Sequence, residues 1–109
     1  MIEIHSGIWR SKLPLARDVR MFAERGGRSL VDLTRRPRDT VRRACERYGV
    51  RYMKFPLPYD GGDIDGAVAH VLAQERPVLF HCFHGRDRTG AVALGVLAVI
   101  NEKNDHVDQ

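Results

Sequence analysis

The sequence predicts an α/β fold in which a central, mainly parallel sheet of about four to five strands carries helices on both faces. Two patterns support this class. Short apolar runs rich in strand-forming residues alternate along the chain with longer segments whose apolar residues recur at helical spacing. No repeat, linker or low-complexity stretch interrupts the alternation. Strands that alternate with helices form parallel sheets, and ligands bind at the carboxyl ends of such strands.

The length of the chain supports a single domain. Its 109 residues are enough for one hydrophobic core and leave little for a second. We assign residues 1–104 to this domain and residues 105–109 to a polar C-terminal tail. No regular structure is expected from residue 101 onward, because apolar residues become scarce there.

The first half of the chain is predicted to begin with a strand or hairpin. The predicted elements are, in order, a strand or hairpin at 2–10, a helix ending before Gly26, a strand at 30–33, a helix ending before Gly49 and a strand at 50–55. The first helix turns Val19 and Phe22 inward, and the second carries Val41, Ala44 and Cys45 at helical spacing.

The second half repeats the strand and helix pattern. A third helix has Ile64, Ala67, Val68 and Val71 on one face. A strand follows at 78–81, and a final helix is expected over residues 91–100, which are apolar at nearly every position.

The most informative segment is the decapeptide 81–90, which reads His-Cys-Phe-His-Gly-Arg-Asp-Arg-Thr-Gly. It connects the strand at 78–81 to the final helix. A loop that enters a helix N-terminus is surrounded by unpaired backbone N–H groups and the positive end of the helix dipole. The segment therefore predicts an anion site.

Three side chains of this segment suit phosphoryl transfer. The pKa of a free thiol is about 8.5 and falls to roughly 3.5–7.5 beside a helix N-terminus or a cation, so Cys82 is expected to be a thiolate nucleophile. Arg88 presents a planar fork of donors that matches two phosphate oxygens. Thr89 is placed to donate its hydroxyl to the Cys82 sulfur when the thiolate forms and when it leaves.

The remaining loop residues are predicted to hold the phosphate. We assign substrate binding to Phe83, His84, Gly85 and Arg86, through the backbone amides of residues 83–88. Gly85 and Gly90 are expected to let the backbone curl close to the phosphate. His81 precedes the nucleophile and is expected to order the loop through hydrogen bonds, since an ionised thiol needs no base.

The decapeptide resembles the signature loop of the cysteine-based protein tyrosine phosphatase superfamily: His-Cys, five residues, Arg, then Thr or Ser, and often Gly. Three further segments are similar to those of its compact, dual-specificity-like branch: residues 7–11 (Gly-Ile-Trp-Arg-Ser), 29–34 (Ser-Leu-Val-Asp-Leu-Thr) and 50–57 (Val-Arg-Tyr-Met-Lys-Phe-Pro-Leu). The resemblance covers most of the chain. It implies a metal-independent phosphomonoesterase that forms a phosphocysteine intermediate, needs no cofactor and acts on a phosphorylated protein or another phosphomonoester. Members usually continue with further helices, so the chain is either a minimal member or a truncated one.

The resemblance also requires an acid that protonates the leaving oxygen. Asp60 is the first candidate, because it lies between a strand and the helix before the signature loop, beside Gly61 and Gly62, which supply hinge freedom. Asp87 is the second, inside the loop and one position before Arg88. Asp63 is a weaker third candidate, since a residue that opens a helix is more often an N-cap.

Positive charge is concentrated after the strand at 30–33. Fifteen arginines and three lysines give the chain a net charge of +4. Arg36, with its neighbours Arg35 and Arg38, follows the strand at the edge where the substrate should bind, so this group is expected to contribute to recognition of an anionic substrate.

Several alternatives remain open from the sequence. The same loop could serve an RNA 5′-phosphatase or a phosphoinositide phosphatase, although stacking aromatics are scarce and nucleic acid ranks below phosphoprotein. The domain could also bind phosphate without turnover. A metal site at His81, Cys82 and His84 is disfavoured, because no second ligand cluster exists. Cys45 is read as a core residue, with a redox partnership to Cys82 as the alternative.

The chain shows no signal-peptide pattern, and its longest apolar run of about ten residues is half of what a membrane span requires. Two cysteines, one of which must be a free thiolate, favour a reducing compartment. We therefore expect a cytoplasmic protein without a membrane span, and a monomer.

Overall fold

The computed structural model describes residues 1–107, which form five strands and four helices. In chain order they are β1 (Ile2–His5), β2 (Ile8–Ser11), α1 (Ala16–Glu24), β3 (Ser29–Asp32), α2 (Asp39–Tyr48), β4 (Arg51–Lys54), α3 (Ile64–Leu72), β5 (Val78–His81) and α4 (Asp87–Val107). The order of strands and helices is the one that the apolar patterns predict. None of these helices is both long and apolar enough to cross a bilayer.

The strands form one sheet in the order β1-β2-β5-β3-β4. Only β1 and β2 pair antiparallel, as a hairpin, and the other three pairings are parallel. The register places Ser11, Asp32, Lys54 and His81 in one row across the ends of the four parallel strands. The polar residues that follow these strands therefore meet at one edge of the sheet.

Two hydrophobic clusters cover the two faces of the sheet. Alternate residues of a strand point to opposite faces, and in β3 Leu30 packs with α1 and α2 while Val31 packs with α3 and α4. Leu79 and Phe80 of β5 divide in the same way. The predicted α/β class, with a mainly parallel sheet and helices on both faces, is confirmed.

Helix α4 differs from its prediction at both ends. It begins at Asp87, so Arg88 and Thr89 lie in its first turn and not in the loop before it. It also continues to Val107, so the expectation of no regular structure from residue 101 onward is wrong as far as that residue. A helix that is already nucleated extends by one hydrogen bond per residue, and Glu102 and Lys103 are good helix formers. Of the tail assigned to 105–109, residues 108 and 109 lie outside the described residues.

Candidate active site

The loop between β5 and α4 surrounds the side chain of Cys82. This residue follows the last residue of β5 and is only 2% exposed. The backbone N–H of Gly85 donates a hydrogen bond of 3.2 Å to its sulfur. The loop therefore curls around the thiol, at the edge of the sheet where the parallel strands end.

The surroundings of Cys82 favour its thiolate form. Burial raises the pKa of the thiol, but the Thr89 hydroxyl and the N–H groups of Thr89, Gly85 and Arg86 outweigh it, so the pKa lies below its usual value. The Thr89 hydroxyl is buried, and in the described part of the chain it is not within hydrogen-bonding geometry of any acceptor, sulfur included. It is nevertheless near enough to Cys82 to lower the pKa of the thiol.

Arg88 is held at the same edge by the ends of two strands. Its side chain is nearly buried, and Nη1 donates to the carbonyl oxygens of Leu57, at 3.1 Å, and Leu33, at 3.5 Å. The ring of Tyr59 covers the guanidinium at 4.2 Å. These contacts hold the guanidinium in place, and its planar fork of donors is of the kind that binds two oxygens of a phosphate.

Gly85 is required by the geometry of the loop. Its φ is +71°, and a Cβ there would lie 2.6 Å from the backbone nitrogen of Lys12. Arg10 donates a hydrogen bond of 2.9 Å to its carbonyl. A Cβ at Gly90 would meet only the Arg10 guanidinium, at an ordinary 3.7 Å, so no contact with the described chain requires glycine there. Arg10 in β2 and Lys12 just after it therefore support the loop from outside.

His81 contacts the backbone of the loop between β5 and α4. It is fully buried, and its Nδ1 lies 3.2 Å from the carbonyl oxygen of Cys82, to which it must donate because a carbonyl only accepts. Burial lowers the pKa of this imidazole despite the carboxylate of Asp32, whose Oδ1 lies 3.8 Å from Nε2. A neutral ring that donates to the backbone suits an ordering role.

Both candidate acids are exposed. Asp60 lies in the loop between β4 and α3 and follows Tyr59, whose ring contacts Arg88, so this loop reaches the site. Asp87 is the first residue of α4 and directly precedes Arg88. Neither carboxylate takes part in a hydrogen bond or ion pair with another residue of the described chain. Asp63 is the N-cap of α3 and accepts a hydrogen bond of 2.8 Å from the Gly66 N–H, as its position predicted.

A cleft of about 730 Å³ lies next to the loop, and Cys82, Asp60 and Asp87 are not among its lining residues. Its lining residues are Thr34, Arg35, Arg36, Arg38, Tyr59, Phe83 and Arg88. The predicted substrate-binding residues Arg36 and Phe83 are thus brought to the cleft. His84 and Arg86 have exposed side chains outside this lining, and the His84 ring packs edge-on against Phe83 at 4.7 Å. Arg86 reaches the site through its backbone N–H, which faces the Cys82 sulfur.

Four residues near the site had no role in the sequence interpretation: Arg10, Asp32, Lys54 and Tyr59. Arg10, Asp32 and Lys54 belong to segments that carry the family resemblance. Tyr59 could have been suspected from its place beside Asp60. Lys54 ends β4 at the edge where ligands bind, which is a weak indication in a chain with 18 basic residues.

Cys45 lies on the other face of the sheet from Cys82. It is fully buried in the cluster beneath α1 and α2, whereas Cys82 belongs to the cluster beneath α3 and α4. Burial, with the charges of Asp32 and Glu46, raises the pKa of its thiol to about 12. A protonated thiol behind the sheet is a core residue and not a redox partner for Cys82. Among the described residues, no three His, Cys, Asp or Glu side chains cluster as metal ligands would.

Comparison with known proteins places this geometry in context. Over 67 residues the chain is 37% identical to the triple specificity protein phosphatase PtpB of Mycobacterium tuberculosis. The match covers 61% of this chain and 24% of PtpB, so the chain spans about a quarter of the length of that relative.

Solved structures share the fold. The core catalytic domain of the PP-IP phosphatase SIW14 from S. cerevisiae matches with a TM-score of 0.73 at 20% identity, over 84% of this chain and 61% of that one. TpbA of P. aeruginosa matches with a TM-score of 0.64 at 27% identity, over 79% and 55%. The model of the tyrosine phosphatase family matches residues 10–109, which is nearly the whole chain. The protein belongs to the tyrosine phosphatase family.

Proposed function

We propose that this protein is a metal-independent phosphomonoesterase that works through a phosphocysteine intermediate and acts on phosphotyrosine and phosphothreonine or phosphoserine in proteins. The observation that carries the proposal is the state of Cys82. Cys82 is a buried thiol whose pKa is lowered by a hydroxyl and three N–H groups. The guanidinium of Arg88, held by two backbone carbonyls, follows in the same segment. A thiol in these surroundings is suited to nucleophilic attack on an anion.

The reaction runs in two steps. The Cys82 sulfur attacks phosphorus and forms an S–P bond while the bond from phosphorus to the ester oxygen breaks. Arg88 and the loop N–H groups bind the three non-bridging oxygens, whose charge they stabilise in the transition state. Asp60 or Asp87 gives its proton to the leaving oxygen, which departs as the alcohol or phenol.

In the second step the same carboxylate takes a proton from water, and the water oxygen attacks phosphorus. The S–P bond breaks, inorganic phosphate leaves, and Cys82 returns to the thiolate that the Thr89 hydroxyl stabilises. No metal is needed in this scheme, because the nucleophile is already ionised and the cations that face the phosphate are arginine side chains and backbone N–H groups.

The cleft supports a phosphorylated protein as substrate. Tyr59 and Phe83 supply two aromatic walls near Arg88, which suit the ring of a phosphotyrosine. The arginines of the loop after β3 suit acidic groups around it. A TpbA variant in complex with pTyr has been solved and matches this chain at 26% identity, and PtpB is described as a triple specificity protein phosphatase.

The test is phosphate release, with a chelator present, from a phosphotyrosyl peptide, a phosphothreonyl peptide, a phosphoinositide and 5′-triphosphorylated RNA. We expect release from the peptides, a loss on the order of 10⁴-fold or more in Cys82→Ser, and normal release in the control Cys45→Ala. Release only from the lipid or the RNA would contradict the substrate class. No release from any substrate, with phosphate still bound, would identify a binding module and sink the catalytic proposal.

A further inference from the structure

Lys54 ends β4 and binds the loop that follows β3. Its ammonium donates to the carbonyl oxygens of Thr34, at 2.6 Å, and Arg36, at 2.7 Å, and to the Thr34 hydroxyl at 3.2 Å. The side chain is 26% exposed, so its charge is largely directed into the protein. The backbone of this loop is therefore held in its turn by contacts with the Lys54 ammonium.

The loop that Lys54 binds carries three of the four arginines of the cleft: Arg35, Arg36 and Arg38. Arg38 is also tied to this centre, since its Nε donates to the Thr34 hydroxyl at 3.4 Å, and its guanidinium lies 5.3 Å from the ring centre of Phe83. Three cations on a short loop repel one another. All three line the cleft, and Arg35 and Arg38 also line a second cavity beside Lys54, so the backbone of this loop determines how the three side chains are presented to a substrate.

Asp32 balances the charge of Lys54. Its carboxylate is fully buried, lies 3.4 Å from the Lys54 ammonium and accepts hydrogen bonds from the Thr34 N–H, the Thr34 hydroxyl and the Tyr52 hydroxyl. Burial raises the pKa of this carboxyl, but His81 and the hydrogen bonds from Thr34 and Tyr52 bring it below its usual value. The carboxylate is ionised at neutral pH, and a buried ion of this kind needs its partners.

Lys54 itself does not face the substrate. It lines a second cavity of about 250 Å³, whose lining includes Arg35, Arg38, Arg42 and Tyr52, and it is absent from the lining of the catalytic cleft. Its effect on a substrate must therefore pass through the loop that it holds.

We propose that Lys54 is a positioning residue that sets the preference of the cleft for substrates with further negative charge beside the phosphoester. This inference rests on the proposed phosphatase function. The ammonium aligns Arg35, Arg36 and Arg38 with acidic groups that flank the phosphate, whereas the phosphate itself is bound by Arg88 and the Cys82 loop. Loss of Lys54 weakens binding of an acidic substrate and spares the chemical step.

The experiment compares Lys54→Met, which keeps the length of the side chain without its charge, with Lys54→Arg and with wild type. Lys103→Met is the matched control, because it removes the same charge from an exposed position on α4. The substrates are p-nitrophenyl phosphate and two phosphotyrosyl peptides, one flanked by Asp and Glu and the other by Ala and Gln. Thermal unfolding of each variant fixes a temperature at which all of them are folded.

For Lys54→Met we expect KM for the acidic peptide to rise about tenfold with kcat unchanged. In the same variant, KM for the neutral peptide and for p-nitrophenyl phosphate stays within about twofold of the wild-type value. Lys54→Arg recovers most of the preference for the acidic peptide over the neutral one. Lys103→Met behaves as wild type. An equal rise in KM for both peptides, or none, would overturn the proposal, and so would an equal effect in Lys103→Met.

The test also separates this inference from the catalytic one. If wild type turns over none of the three substrates, the proposed function fails, and affinity takes the place of KM. Binding of the acidic phosphopeptide to Cys82→Ser is then compared with binding to Cys82→Ser/Lys54→Met. Weaker binding in the double variant supports the positioning role, and equal binding overturns it.

Discussion

The backbone N–H of Gly85 lies 3.2 Å from the sulfur of Cys82 and donates a hydrogen bond to it. Gly85 has a positive φ, and Arg10 donates to the carbonyl oxygen of Gly85 at 2.9 Å, so the peptide groups on both sides of its Cα are held. A side chain at this position would strike the backbone of Lys12. The electrostatic state of the thiol thus depends on a residue that contributes no side chain of its own.

Gly85→Ala is expected to lower kcat/KM roughly 10- to 100-fold, which corresponds to the loss of one hydrogen bond to a charged group. The added methyl group displaces the loop from Lys12 and turns the N–H away from the sulfur. Gly90→Ala is the matched control, since a Cβ there makes only an ordinary contact. Steady-state kinetics on an aryl phosphate decide the matter, and equal activity of the two variants would contradict this view of Gly85.

The Thr89 hydroxyl is expected to control the pH at which Cys82 ionises. Because hydrogen bonds hold the pKa of the thiol below its usual value, the rate of alkylation by iodoacetamide should reach half its maximum at a lower pH than for a free thiol. Thr89→Val removes a donor to the thiolate, so the midpoint should move to higher pH by about one unit. Thr89→Ser keeps the hydroxyl and should retain the wild-type midpoint; an unmoved midpoint in Thr89→Val would show that the hydroxyl does not serve the sulfur.

The general acid is identified by its dependence on the leaving group. A phenol with a high pKa needs protonation as it departs, so loss of the acid should slow release of that phenol roughly 100-fold or more and leave an activated phenol little changed. Asp60→Asn and Asp87→Asn are compared on aryl phosphates of both kinds. Asp63→Asn serves as the control, because Asp63 caps α3 and Asn retains that cap, so this variant should stay folded and show no such contrast. If a variant slows release of both phenols equally, the residue that it replaces is not the general acid.

The order of the elements could be predicted because each one has its own apolar pattern. Val19 and Phe22 mark one face of α1, and the run Val78–His81 is buried at every position in the middle of the sheet. The start of α4 could not be found in this way. Its first turn holds Asp87, Arg88 and Thr89, which are polar, and the apolar pattern begins only after them. Capping and propagation of a helix do not follow hydrophobic periodicity.

The catalytic loop could be predicted because its residues are contiguous in sequence. The contacts that hold it could not, since they join distant positions. Arg10 and Gly85 are 75 positions apart, and Lys54 and Thr34 are 20 apart. These pairs meet because β2, β3, β4 and β5 end at one edge, which is a property of the strand order and not of any local pattern.

Tyr59 is expected to favour aryl over alkyl phosphates. Its ring is 69% exposed, lies 4.2 Å from the Arg88 guanidinium and lines the cleft with Phe83. The aryl group of an ester whose phosphate is bound by Arg88 would therefore stand beside this ring. Tyr59→Ala should raise KM for an aryl phosphate by roughly two- to fivefold, since a cation–π or ring contact at an exposed site contributes about 0.5–1 kcal/mol.

Tyr59→Phe separates the ring from the hydroxyl and should behave as wild type if the ring is what matters. An alkyl phosphate such as glycerol phosphate is the second substrate, and Tyr59→Ala should change its KM much less than that of the aryl ester. If both esters lose affinity equally, Tyr59 acts on Arg88 and not on the leaving group. If Tyr59→Ala instead lowers KM for both esters, the ring occupies the space of the phosphate and must swing away before a substrate binds. Gly61 and Gly62, both at positive φ, would allow such a movement of the loop.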